Sequence, residues 1–208
     1  MKVTICMPIL RTIQAETFVS ILNLRLPPGT EYAIEIGSVV YDARNKLALK
    51  AIENGSDYIL WVDADMTFGS EALNLLLEDA KEGKEYISGM FFTRGFPIKP
   101  VVHKEIIYKK GEDNIIEHAA LPFYDYPKDK TFEIGGSGFG FVLTSVDLIK
   151  RLSEHFEMSP FEPLPYLGED YSFCRRTAEI GVKMYCDSRV QCGHVGNLIY
   201  SEQLYRRK

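Results

Sequence analysis

Short β-branched or aromatic runs alternate along this chain with stretches whose apolar residues recur at helical spacing. Residues 2–7 form the first run, closed by Pro8, and residues 32–36 the second, closed by Gly37. Over residues 41–53 the apolar positions Ala43, Leu47, Ala48, Ala51 and Ile52 keep a helical period that stops at Asn54-Gly55. Residues 58–62 (YILWV) are apolar without a break, the pattern of a strand buried on both faces of a parallel sheet. Residues 70–82 carry Leu73, Leu76, Leu77 and Ala80 on one helical face with Gly83 as the stop, and residues 86–92 read as the next strand. This βαβαβ rhythm predicts a doubly wound α/β sheet with right-handed crossovers.

The rhythm changes after Thr93. Residues 94–134 hold four prolines and short β-rich pieces at 101–108 and 115–118 around a turn at 110–113, which predicts a hairpin-bearing insertion rather than a separate domain. Regular structure returns with a strand at 139–143, a helix at 145–155, a Pro-rich loop, a helix at 170–180 and strands near 183–186 and 189–192. The tail from Tyr205 to Lys208 is weakly basic and reads as frayed.

Composition narrows the function classes. The 208 residues suit one domain, and 46% hydrophobic with 25% charged residues is the balance of a soluble globule. A net charge of −5 argues against coating a nucleic acid, where a basic surface must displace counterions. Cys6, Cys174, Cys186 and Cys192 show no CxxC spacing, which points to a reduced, intracellular protein. The apolar start MKVTICMPIL has no cleavage site after it, and no apolar run approaches the ~20 residues that would cross a bilayer. A soluble, cytoplasmic protein is the expectation.

Candidate chemistry begins directly after the buried run, at Asp63-Ala64-Asp65. Open α/β sheets bind ligands at the carboxyl ends of their strands, and this pair sits at such an end. In extended chain, residues two apart point to the same side, so both carboxylates could reach one ion. Carboxylates suit Mg²⁺ or Mn²⁺, whose shells are completed by water and substrate phosphates. A helix N-cap is the plainer alternative, but Gly69 or Ser70 lies closer to the helix start.

The stretch Asp42-Ala43-Arg44-Asn45, a helix ending at Asn54-Gly55, and then Tyr58–Val62 running into Asp63-Ala64-Asp65 resembles GT-A glycosyltransferases with the DxD signature. The likeness is greatest to family-2-like enzymes of bacteria, phages and large viruses. It continues through Gly135–Gly140 (GGSGFG) and Gly168-Glu169-Asp170 to Gly193-His194-Val195-Gly196, and so spans nearly the whole chain. It implies a single Rossmann-like, three-layer α/β/α domain with a mostly parallel sheet. Residues 1–92 would form a nucleotide-binding half and residues 93–208 an acceptor and catalytic half. It also implies a nucleotide-sugar donor, commonly a UDP-sugar, a glycan or other hydroxyl acceptor, and the host cytoplasm as location if the gene is viral.

The resemblance assigns roles residue by residue. Asp65 is the expected metal ligand, with Asp63 at the metal or ribose. Arg44 and Asp42 fall where such enzymes meet the nucleotide, and an Arg fork can grip diphosphate oxygens in two places, with a solvated helix residue as the plainer alternative for Arg44. Pro8 and Arg11 fall where the base packs. His194 stands where a third ligand, commonly His, is found, and imidazole beside carboxylates favours Mn²⁺ over Mg²⁺; a hydrogen-bonded structural histidine is the alternative. Glu169-Asp170 opens a helix, so capping alone would explain it. The resemblance makes the pair the general base of an inverting transfer, Asp170 first and Glu169 second. GGSGFG lacks the Gly-Lys-Ser/Thr and following helix of a phosphate loop, and the resemblance sets it beneath the sugar and acceptor. Residues 93–97 read as a plain loop, and His103, His118 and His155 as surface residues. A sugar-1-phosphate nucleotidyltransferase would need a Gly-rich, basic loop after the first strand, which Met7-Pro8-Ile9-Leu10 does not supply. A binding module that keeps the fold without turnover is the remaining alternative.

Overall fold

The computed structural model describes residues 1–110, 116–196 and 198–206. In chain order the elements are β1 (Val3–Ile9), α1 (Ala15–Asn23), β2 (Glu31–Ile36), α2 (Val40–Glu53), β3 (Tyr58–Val62), β4 (Met66–Thr67), α3 (Ala72–Lys81) and β5 (Tyr86–Met90). Then follow β6 (Val102–Lys110), β7 (Ile116–Pro122), β8 (Thr131–Ile134), β9 (Gly136–Ser137), β10 (Phe141–Ser145), α4 (Val146–Phe156) and α5 (Glu169–Glu179). The chain closes with β11 (Met184–Gln191), β12 (Gly193–Val195), β13 (Ile199–Tyr200) and α6 (Glu202–Tyr205).

A seven-stranded sheet in the order β2-β1-β3-β10-β5-β11-β8 forms the middle layer. β2, β1 and β3 run parallel, as do β5 and β11, while β10 and β8 run against their neighbours. The sheet is therefore mixed but mostly parallel, and β5 from the first half of the chain is flanked by β10 and β11 from the second.

The uninterrupted YILWV run works as its pattern predicts. Ile59 and Trp61 join one core with Leu47, Ala48 and Ala51 of α2, Leu148 and Leu152 of α4, and Phe173 of α5. Leu60 and Val62 join another with Leu73, Leu76 and Leu77 of α3. Burying both faces under helices completes the three layers.

Several expectations need correction. Pro8 does not close β1; it pairs in register with Glu35 of β2, and β3 has already ended its pairing at Cys6↔Trp61. Ile9 turns its carbonyl toward β2 and accepts from Gly37 N, so the prolyl nitrogen faces the side where no ladder bond is needed. A helix unforeseen in the pattern, α1, follows β1. The cap of α3 is Glu71, without a side-chain bond, rather than Gly69 or Ser70. The strands expected at 183–186 and 189–192 are one strand, β11, with a register shift between Asp187 and Gln191. β6 and β7 form the expected hairpin, whose turn at 111–113 lies outside the described residues. The tail is not frayed at Tyr205, whose ring stacks on Phe92 at 5.0 Å; Arg207 and Lys208 lie outside the described residues.

All four cysteines are buried and free. No described helix is long and apolar enough to cross a membrane.

Candidate active site

At the carboxyl ends of β1, β2 and β3 a cleft of about 640 Å³ opens, lined among others by Pro8, Leu10, Val39, Asp63, Asp65 and Arg94. Asp63 leaves β3 with its backbone N–H bonded to Gly140 O at 2.9 Å, and the chain turns at once, Met66 N returning to Asp63 O at 3.3 Å. The chain at 63–65 is a turn and not extended, and the two carboxylates take different partners, while burial pushes the Asp63 carboxyl up and Asp65 still lies near enough for its charge to add to that rise. Asp63 Oδ1 accepts from Arg44 Nη2 at 2.8 Å, whereas Asp65 Oδ2 meets Arg94 Nη1 at 2.7 Å and lies 3.5 Å from His194 Nε2.

His194 reaches Asp65 through a small sheet of β4, β12 and β13. His194 pairs with Met66, and Val195 N–H donates to Asp65 O at 2.7 Å. The ladder requires glycine at 193, where a Cβ would lie 2.4 Å from Thr67 Oγ1. The imidazole Nδ1 is 2.9 Å from Phe92 O. A carbonyl only accepts, so Nδ1 carries the hydrogen, and the other nitrogen is turned toward the carboxylate. Between Nε2 and the carboxylate there is room for one shared positive charge, either a proton on the ring or a cation held by both groups. Burial pushes the Asp65 carboxyl up, but His194 and Arg94 outweigh it and hold the group below its ordinary value.

The second acidic pair opens α5 behind Gly168. Arg44 joins the two pairs. Its side chain is 2% exposed, its Nε bonds Glu169 Oε1 at 3.3 Å, and its guanidinium packs over the rings of Trp61 and Phe139 at 6.0 and 5.3 Å. Burial alone would weaken its charge, yet Asp63, Glu169 and Asp170 hold it more strongly protonated than usual. Among the described residues no cation pairs with Asp170. Its Oδ1 accepts from Tyr171 N at 2.7 Å, and a Cβ added at Gly138 would lie 3.6 Å from its Oδ2. Burial and then the charge of Glu169 push its carboxyl up to about 6.

The structure thus brings Asp63, Glu169 and Asp170 around Arg44, and Asp65 and His194 together beside Arg94. Among the described residues no three His, Cys, Asp or Glu groups are arranged to hold a metal at once. Pro8 lines the cleft, but Arg11 is exposed outside its lining and Asp42 pairs with Lys46 at 2.8 Å on the outer side of α2. Residues 93–97 are more than a plain loop, since Arg94 enters the cleft. The glycines at 135–140 chiefly let the chain close on itself: a Cβ at Gly135 would lie 2.5 Å from Lys104 O. His103 is not a surface residue. The inward register of β6 buries it, 2.8 Å from Tyr171 OH, and burial pushes its imidazole down to about 4. His118 and His155 are exposed as expected.

No protein-family model and no curated protein matches the chain. Among solved structures, A197 from STIV is similar with a TM-score of 0.66 at 16% identity, over 100% of this chain and 92% of that one. A 1–349 fragment of S. aureus TarS is similar with a TM-score of 0.55 at 13% identity, over 97% of this chain and 60% of that one. The fold is GT-A-like. At these identities the likeness is one of fold, and the chemistry rests on the side chains.

Proposed function

We propose that this GT-A-like chain is a metal-dependent glycosyltransferase that moves a sugar from a nucleotide-sugar, a UDP-sugar by resemblance, to a hydroxyl acceptor with inversion. The observation that carries the reading is the pairing of His194 Nε2 with Asp65 Oδ2 at 3.5 Å, with Nδ1 fixed on Phe92 O. Two ligands on adjacent corners of a first-row ion, each about 2.1 Å from it, stand about 3 Å apart, so little movement is needed to receive Mn²⁺. The oxygen and imidazole donors suit Mn²⁺, with Mg²⁺ as the alternative. A bound divalent ion supplies charge neutralisation at the leaving nucleoside diphosphate.

The chain's own groups do the rest. The cleft beside Pro8, Leu10 and Val39 takes the nucleoside, and Arg94 lies at its acidic edge, where a diphosphate oxygen can replace Asp65 as its partner. Asp63 is held by Arg44 and serves the ribose or the ion's water shell. Glu169 is committed to the same guanidinium, which leaves Asp170 to accept the acceptor hydroxyl's proton. A carboxylate raised to about 6 is a stronger base than an ordinary one and is still ionised at neutral pH.

A panel of nucleotide-sugars with Mn²⁺, read by release of nucleoside diphosphate, tests the assignment. One donor should be hydrolysed slowly, and chelation should stop it. Absence of metal-dependent release across the whole panel would contradict a transferase.

A further inference from the structure

Between α4 and α5 the Pro-rich loop presents Tyr166 to solvent. Its side chain is the most exposed of the large hydrophobic residues described, at 76%. Its backbone φ is +67°, a left-handed conformation that costs an aromatic residue energy and persists only where the surroundings impose it. The surroundings do so from both sides. Phe161 is wedged among Trp61, Phe139 and Phe173 with ring centroids 4.9, 5.1 and 4.7 Å away. Leu164 N–H is bonded to Ser172 Oγ at 2.8 Å, Leu167 N–H returns to Leu164 O at 3.0 Å, and Leu167 is buried. Behind the ring lies His118 of the hairpin, parallel to it within 4° at 6.0 Å. Four residues further on is Asp170.

We propose that the Tyr166 ring, backed by His118, is the platform on which a pyranose ring of the acceptor stacks, so that the acceptor is a glycan. An aromatic face carries partial negative charge and attracts the polarised C–H groups on the flat side of a sugar. A ring held rigidly before binding loses little entropy when the ligand arrives. Tyr166 stands two residues before Gly168, the N-cap of α5, and Asp170 lies in the first turn of that helix, so the platform sits on the segment that leads into the proposed base. The platform rests on the sugar-transfer reading only for its place in the reaction; binding can be read without turnover.

Saturation-transfer NMR decides it. Methyl glycosides of glucose, galactose, mannose and N-acetylglucosamine, and their β-linked disaccharides, are added to wild type and to Tyr166→Ala, Tyr166→Phe and His118→Ala. At least one saccharide should receive saturation on the C–H protons of one ring face from wild type. Affinity should fall about ten-fold in Tyr166→Ala, stay within two- to three-fold in Tyr166→Phe, and fall by less in His118→Ala. Unchanged thermal midpoints would show that the variants remain folded, as expected for an exposed side chain. Equal binding by wild type and Tyr166→Ala, or no binding to wild type by any saccharide, overturns the platform. Loss of binding in Tyr166→Ala without donor turnover in any variant would keep the platform and remove the transferase.

Discussion

Asp65 and Asp170 are the same residue type, each the second member of an acidic pair, and the fold treats them in opposite ways. Asp65 faces an imidazole and a guanidinium and is held below the ordinary carboxylate range. Asp170 is enclosed next to another acid, without a cation paired to it among the described residues, and is pushed up to about 6. The first members of the pairs, Asp63 and Glu169, share Arg44 and neutralise it between them. One buried arginine thus leaves one acid suited to a cation and another suited to a proton. Two carboxylates driven apart by their surroundings are the usual mark of divided labour in a catalytic site.

The largest effect should come from the proton side. Asp170→Asn should lower kcat by roughly 10²–10⁴ while donor affinity stays within a few-fold, checked by a transfer assay beside calorimetric titration of the donor. If Glu169→Gln gives that loss and Asp170→Asn does not, the roles within the pair are reversed. Next is the shared cation: Arg44→Met leaves two acids without their partner and should cost about 3–5 kcal/mol in urea unfolding, as for broken buried pairs.

A third test separates function from stability. Asp170 binds its proton more tightly folded than unfolded, so its contribution favours the fold below about pH 4 and is lost as pH rises through about 6. Asp170→Asn should therefore be more stable than wild type at pH 8, by up to about 3 kcal/mol, with the advantage fading toward pH 4. A variant destabilised equally at both values would remove the case for a strained acid. The smallest effect concerns Arg94. Its half-exposed pair with Asp65 contributes less than about 1 kcal/mol, so Arg94→Ala should leave the melting temperature nearly unchanged. Donor titration should nonetheless show weaker binding in that variant.

What could be read in advance follows from the range of the interactions. Continuous apolar runs and helical stripes are local, and residues 58–62 and 41–53 emerge as β3 and α2 with boundaries nearly unchanged. α1 escaped because Phe18, Val19 and Leu22 are exposed and only Thr17 of that helix is buried. The joining of two expected strands into β11 depends on pairing with β5 and β8, which no local period reports. For the candidates Asp63, Asp65, Glu169, Asp170 and His194 the sequence offers residue type and position, but not the partners that the fold gives them. His194 meets Asp65 only because β12 pairs with β4, and Arg94 enters from a loop that carries no pattern. Arg44 did leave a signal: with Leu47, Ala48 and Ala51 it lies on the buried stripe of α2, and a charge there must find acids.

The division of labour is tested most directly by thermal denaturation with Mn²⁺ and UDP, applied to wild type, Asp65→Asn and Asp170→Asn. At a ligand concentration about 100 times Kd, binding should raise the melting temperature of wild type by about 5–10 °C, and only with the metal present. Asp170→Asn should show the same rise, and Asp65→Asn should show none. A full rise in Asp65→Asn, or its loss in Asp170→Asn, would mean that the two acids do not divide cation and proton between them.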